Sequence, residues 1–170
     1  MTLTLTLTLT HKHVGTAVLA LRSRLVQKNE KILILSSLQE ISRNVDTVSM
    51  AGPRAVQPSL GGTLQGLNTD KLFDAEMNAG TKVAETRGCK RIQTFVEWTF
   101  SQPKSRIIVS GHSLYFKELF KLYLPRASDH RAKKRKIANG GMVSCDIAMD
   151  SNGIVQILPN SITPVYLGFA

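Results

Sequence analysis

The 170 residues are 42% apolar with a mean hydropathy of −0.04, enough for one domain with a sizeable core. No apolar run reaches the roughly 18 residues of a membrane span, no basic stretch opens onto an apolar one as in a secretory signal, and Cys89 and Cys145 show no metal-ligand spacing, so the default compartment is a reducing cytoplasm. A net charge of +10 attracts phosphate-bearing partners without choosing among them.

Residues 1 to 10 alternate Thr and Leu, which predicts a strand, although so strict an alternation also reads as low complexity. Thr16 to Asn29 is predicted helical, with Val18, Leu21 and Leu25 on one face. Lys31 to Leu35 is a short buried strand, followed by a loop or short helix from Leu38 to Asn44. Residues 48 to 82 are rich in Gly, Pro, Ser, Thr and Asn and read as an insertion over the sheet edge. Thr86 to Phe100 is helical, with Ile92, Phe95, Val96 and Thr99 at helical spacing and Trp98 as core. Arg106 to Ser110 is a buried strand. Ser113 to Leu124 is an amphipathic helix with Phe116, Leu119, Phe120 and Tyr123 inward. Met142 to Met149 and Ile154 to Leu158 flank Ser151-Asn152-Gly153, a hairpin signal.

Strands alternating with helices imply an α/β fold with a mostly parallel sheet flanked by helices in three layers, closed by a C-terminal antiparallel hairpin. The whole chain, 1–170, is read as a single domain.

The sharpest motif is Ile107-Ile108-Val109-Ser110-Gly111-His112-Ser113-Leu114. His112 stands at the carboxyl end of a buried strand, just before a helix. In open α/β sheets that position faces the ligand crevice. Gly111 permits a tight turn, and the following helix N-terminus offers N–H groups to an anion. A histidine there can clamp a phosphate oxygen or hold a proton near neutral pH. A turn histidine without a ligand is the competing reading.

Residues 107 to 125 resemble the second-histidine motif of the histidine phosphatase superfamily, which contains the cofactor-dependent phosphoglycerate mutases, together with the helix after it. Residues 33 to 47 resemble the segment presenting that family's acid carboxylate, here Glu40. Residues 136 to 147 resemble its late strand, entered through Asn139 and Gly140. The resemblance implies a two-step phosphoryl transfer without metal or organic cofactor, acting on a phosphorylated small molecule or phosphoprotein. A first histidine in Arg-His-Gly attacks phosphorus, two arginines and the second histidine neutralise the oxygens, and a carboxylic acid protonates the leaving group. On this chain it implies catalytic roles for His112 and Glu40, and phosphate contacts from Lys12, Gly111, Ser113 and Asn139.

No Arg-His-Gly occurs in the sequence. In one alignment, Lys12-His13-Val14-Gly15 is its degraded form and His13 is a substitute nucleophile. In the other, Thr8 to Lys12 occupies the family's Ser-Pro-Leu-x-Arg segment, placing Lys12 at the second phosphate arginine. The interval from Lys12 to Glu40 holds one helix and one strand, as in the family, so the second alignment is preferred. The first strand and its nucleophile are then missing, and the expectation is an impaired or truncated relative. Lysine there keeps the charge but loses the bidentate fork.

Three other constellations compete. Gly111-His112-Ser113-Leu114-Tyr115 resembles the Gly-x-Ser-x-Gly elbow of acyl hydrolases, with Ser113 as nucleophile and only His130 downstream as base. His11 and His13 on one strand face could ligate a metal, but no third ligand is near, so no metal is assigned. The run Arg131 to Lys136 is either a solvated loop or a basic interaction module, with nucleic acid as partner and the nucleus as compartment. No aromatic residue interleaves with those cations, and no membrane partner is expected. Arg43 and Asn44 are further candidates for substrate contact.

Overall fold

The computed structural model describes residues 4–7, 11–42, 52–56, 63–64, 67–81 and 88–170. It divides into two units, residues 1–112 and 113–170.

In the first unit, β1 (Thr4–Leu7) leads into α1 (His11–Lys28), then β2 (Ile32–Ile34). The helix starts well before the expected Thr16. Nothing from His11 to Gly15 blocks helical geometry, since an interior glycine costs only about 1 kcal/mol and docking of the apolar face supplies most helix stability. Ala17, Val18 and Leu25 are that face, and all are buried. Asn29 ends the helix in the left-handed region at φ 48, which asparagine tolerates better than most residues. Arg24 then grips Glu30 with two hydrogen bonds, at 2.6 and 2.7 Å.

The loop-rich segment expected to lie as an insertion over the sheet edge supplies short regular elements where it is described. A small antiparallel ladder joins β3 (Thr63–Leu64) to β4 (Leu67–Asn68). The single turn α2 (Thr69–Leu72) leads to β5 (Phe73–Asp74), which pairs parallel with β2. Leu72 and Phe73 join Val18, Leu25, Ile32 and Ile34 in one core.

Helix α3 (Gly88–Ser101) buries Ile92, Phe95, Val96 and Trp98. The Phe95 and Trp98 rings stack at 6.0 Å, so Trp98 is core as expected. The expected helix start at Thr86 lies outside the described residues. A Cβ on Gly88 would come within 2.7 Å of Ile41 Cγ2, so glycine is what lets α3 approach the acid segment. β6 (Ile107–Ser110) completes a four-stranded sheet of order β5-β2-β1-β6, parallel throughout.

The second unit opens with α4 (Ser113–Tyr123), whose buried residues are Tyr115, Leu119 and Phe120. Leu119 and Phe120 are buried as expected, but Tyr115 is fully buried in place of Phe116, and Phe116 and Tyr123 are half-buried. A 3-10 turn spans Arg131–Lys133. The strand expected from Met142 to Met149 breaks at Cys145-Asp146. Its first half, β7 (Met142–Ser144), pairs antiparallel with β10 (Thr163–Tyr166), and its second, β8 (Ile147–Met149), pairs with β9 (Val155–Ile157). The expected hairpin is thus present as β8–β9. Its turn is held by Asp150 Oδ1, which accepts from the N–H groups of Asn152 and Ile154 at 2.9 and 2.8 Å, with Gly153 at φ 78.

The mixed α/β class holds, and among the described residues no helix is long and apolar enough to cross a membrane.

Candidate functional site

The parallel sheet positions the site. β2 and β6 flank β1 and run the same way, so the residues following each emerge at one end of the sheet. After β2 come the 3-10 turn Ser36–Leu38, then Gln39 and Glu40. After β6 come Gly111 and His112. His112 Nδ1 lies 3.1 Å from Glu40 Oε2, with side-chain exposures of 13% and 7%.

The other carboxylate oxygen is also engaged. Glu40 Oε1 accepts the Ile41 N–H at 2.7 Å and the Ser42 N–H at 3.4 Å. Burial pushes the Glu40 carboxyl up, but the hydrogen bond and charge of His112 and the two backbone N–H groups outweigh it, leaving its pKa below the ordinary value. Glu40 is therefore a carboxylate near neutral pH. To donate to it, His112 carries its proton on Nδ1.

The acid segment is braced from two sides. Arg91, in the first turn of α3, donates from Nη2 to the Glu40 carbonyl at 3.1 Å. Sequence reasoning missed Arg91, though a cation in a helix's first turn opposes the dipole and hints at a specific partner. On the other side stands Asn78, 2% exposed. Its Oδ1 accepts from Ser36 Oγ and the Gly80 N–H, while its Nδ2 donates to the carbonyls of Gly52 and Ala55. All four hydrogen bonds of that amide are satisfied. Gln39 Nε2 donates to the Gly80 carbonyl at 2.7 Å, tying the residue before Glu40 into the same network.

Of the residues picked from sequence, His112 and Glu40 are brought together, and Gly111 stands between β6 and His112. Lys12 and His13 lie in the first turn of α1, not on a strand or in the loop after one. That removes the strand face proposed for His11 and His13, because residues two apart on a helix do not face each other. Ser113 begins α4 and Asn139 is exposed, both in the second unit. Arg43 and Asn44 lie outside the described residues.

His130, the base an acyl hydrolase would require, instead uses Nδ1 to accept the Ala132 N–H at 3.1 Å, so the Ser113 reading loses its partner. Cys145 is no alternative nucleophile, since burial and the nearby Asp146 push its thiol up to about 11. Among the described residues no three His, Cys, Asp or Glu side chains gather to hold a metal ion.

Compared with family models, curated proteins and solved structures, the chain finds no match.

Proposed function

We propose that this chain is a histidine-phosphatase-like, phosphoglycerate-mutase-like protein that binds a phosphate monoester, on a small molecule or a phosphoprotein, through His112. Turnover is impaired because no Arg-His-Gly nucleophile occurs in the sequence. The observation that carries the reading is the 3.1 Å contact between His112 and Glu40. These two residues come from distant motifs singled out separately, and they meet at the carboxyl end of a parallel sheet.

In this reading β5-β2-β1-β6 is the middle layer of a three-layer fold. α1 starts at His11, which puts Lys12 at the head of a helix, as the alignment with Lys12 at a phosphate-arginine position requires; β1, between β2 and β6, then fills the place of the missing first strand. Glu40 orients the His112 ring, and His112 then donates to a phosphate oxygen. Lys12 and Gly111 are the further phosphate contacts within the first unit. Because its pKa is lowered, Glu40 serves at neutral pH as the fixed anion behind His112 and not as the proton donor of a leaving group.

The test is binding and hydrolysis of an aryl phosphate by the wild type, His112→Ala and His13→Ala. Binding should weaken by about tenfold or more in His112→Ala, the worth of a charge-assisted hydrogen bond. Turnover should be no higher in the wild type than in the variants. Wild-type turnover that vanishes in His13→Ala, with an alkali-stable phosphohistidine, would replace this reading by an active phosphomonoesterase using His13.

A further inference from the structure

We infer that the second unit carries a surface for single-stranded nucleic acid, built from Arg131, Arg135, Lys136 and Tyr166. It is separate from the phosphate-monoester reading and stands without it.

From Arg126 to Lys136 the chain carries six Lys or Arg and one acid. That acid, Asp129, is paired with Lys134 at 2.5 Å. Lys133 turns inward, its Nζ donating to the carbonyls of Pro125, Arg126 and Ser128 at 3.2, 3.2 and 3.1 Å. Arg131, Arg135 and Lys136 remain at the surface. They do not sit on a loose loop. The His130 ring caps the turn at Ala132, whose side chain is fully buried, and the Arg135 N–H donates to the Arg131 carbonyl at 2.8 Å. Cations on a fixed backbone lose less freedom when they meet a ligand.

The fold also delivers the aromatic component that the sequence around the run lacks. Residues 136–138 are zipped to residues 168–170: the Ala138 N–H donates to the Gly168 carbonyl and the Ala170 N–H to the Lys136 carbonyl, both at 2.9 Å, with Ile137 bridging Phe169. The Phe169 ring lies under the Arg131 guanidinium, 5.2 Å from ring centroid to Cζ. Two and three residues before Phe169 stand Leu167 and Tyr166, each 62% exposed. Leu167 sits at φ 54, and the Gly168 N–H closes a tight turn onto the Tyr166 carbonyl at 2.6 Å. Tyr166 is displayed on the same C-terminal segment whose Phe169 carries Arg131 and whose Ala170 pairs with Lys136, and an exposed tyrosine together with surface cations matches what single strands require, namely charge for the phosphates and a π-face for an unstacked base. A duplex or a featureless polyanion would use the cations alone.

The experiment is fluorescence anisotropy of the full chain on a labelled oligouridylate at several salt concentrations, with a duplex, heparin and anionic vesicles as competitors. The variants are Arg135→Gln, Lys136→Gln and Tyr166→Ala, all exposed side chains whose loss leaves the core intact. Each charge variant should weaken binding and lower the log–log salt slope by about 0.7. Tyr166→Ala should weaken single-strand binding by at least about fivefold at an unchanged slope, and leave duplex and heparin binding as in the wild type. The proposal fails if Tyr166→Ala binds the single strand like wild type, or if the charge variants keep both affinity and slope. It fails equally if the duplex, heparin or vesicles compete as well as the single strand does.

Discussion

The two charged centres of this chain are built on opposite plans. At Glu40 and His112 a carboxylate and an imidazole are withdrawn from water, and every oxygen of the carboxylate is answered by a donor. Between Arg126 and Lys136 six cations and a single acid line the chain, five of the cations are spread over the surface, and only Lys133 is drawn inside. The first plan sets protonation and geometry, because burial makes each contact strong and each missing contact costly. The second sets a field, which acts at a distance and is screened by salt. Both depend on neutral scaffolding: Asn78 braces the acid segment, and the His130 cap braces the basic turn.

The sharpest way to break the first plan is Asn78→Ala. It removes a buried amide that satisfies two donors and two acceptors, three of them backbone groups. Each group left unanswered costs about 1–3 kcal/mol, less where water can reach it, so we expect a loss of about 3 kcal/mol in urea unfolding. Aryl phosphate binding should fall with it, since Gln39 and Glu40 are held through the same network. A next-smaller effect is expected of Gly88→Val. Its Cβ would meet Ile41 at 2.7 Å, and overpacking of this kind costs about 1–3 kcal/mol. Because Ile41 follows Glu40 directly, binding at His112 should weaken by more than the stability loss alone explains.

The basic turn should be more forgiving. Lys133→Met removes three hydrogen bonds to carbonyls, but those carbonyls lie at a partly exposed chain reversal and water can replace the ammonium. We expect about 1 kcal/mol by urea unfolding, with oligouridylate binding lowered because the turn loosens. A loss as large as that of Asn78→Ala would show that the surface turn is as tightly built as the buried network.

Which parts of this could be read in advance follows from the range of the forces involved. β2, β6, α3 and the β8–β9 hairpin are set by local periodicity and turn chemistry, so their residues announce them. The start of α1 was hidden because Gly15 looks like a stop, whereas docking of Ala17, Val18 and Leu25 carries the helix through it. β5 is two residues long and has no period to detect; its strand character comes only from pairing with β2. The break at Cys145-Asp146 has no glycine or proline to mark it, and exists because β7 and β8 take different partners. His112 and Glu40 could each be picked from their own neighbourhoods, but their contact is tertiary. Arg91 and Phe169 were invisible for the same reason, each acting on a segment far away in the chain.

The smallest expected effect is also the most direct on the buried pair, because it titrates one partner. Glu40 has a lowered pKa in the folded chain. Its contribution to stability is therefore fully present above its unfolded value, near about 4.3, and is lost as the pH falls through the lower folded value. Below that range Oε2 becomes a carboxyl, the His112 contact weakens, and the burial that opposed ionisation no longer counts against the folded chain. Urea unfolding of the wild type and Glu40→Gln as a function of pH should show the two curves converging as the pH drops below about 4 and separating above it, with the wild type the more stable at neutral pH. Parallel curves over that range would mean that the carboxylate gains nothing from His112, and would leave Glu40 an ordinary capping group of its own loop.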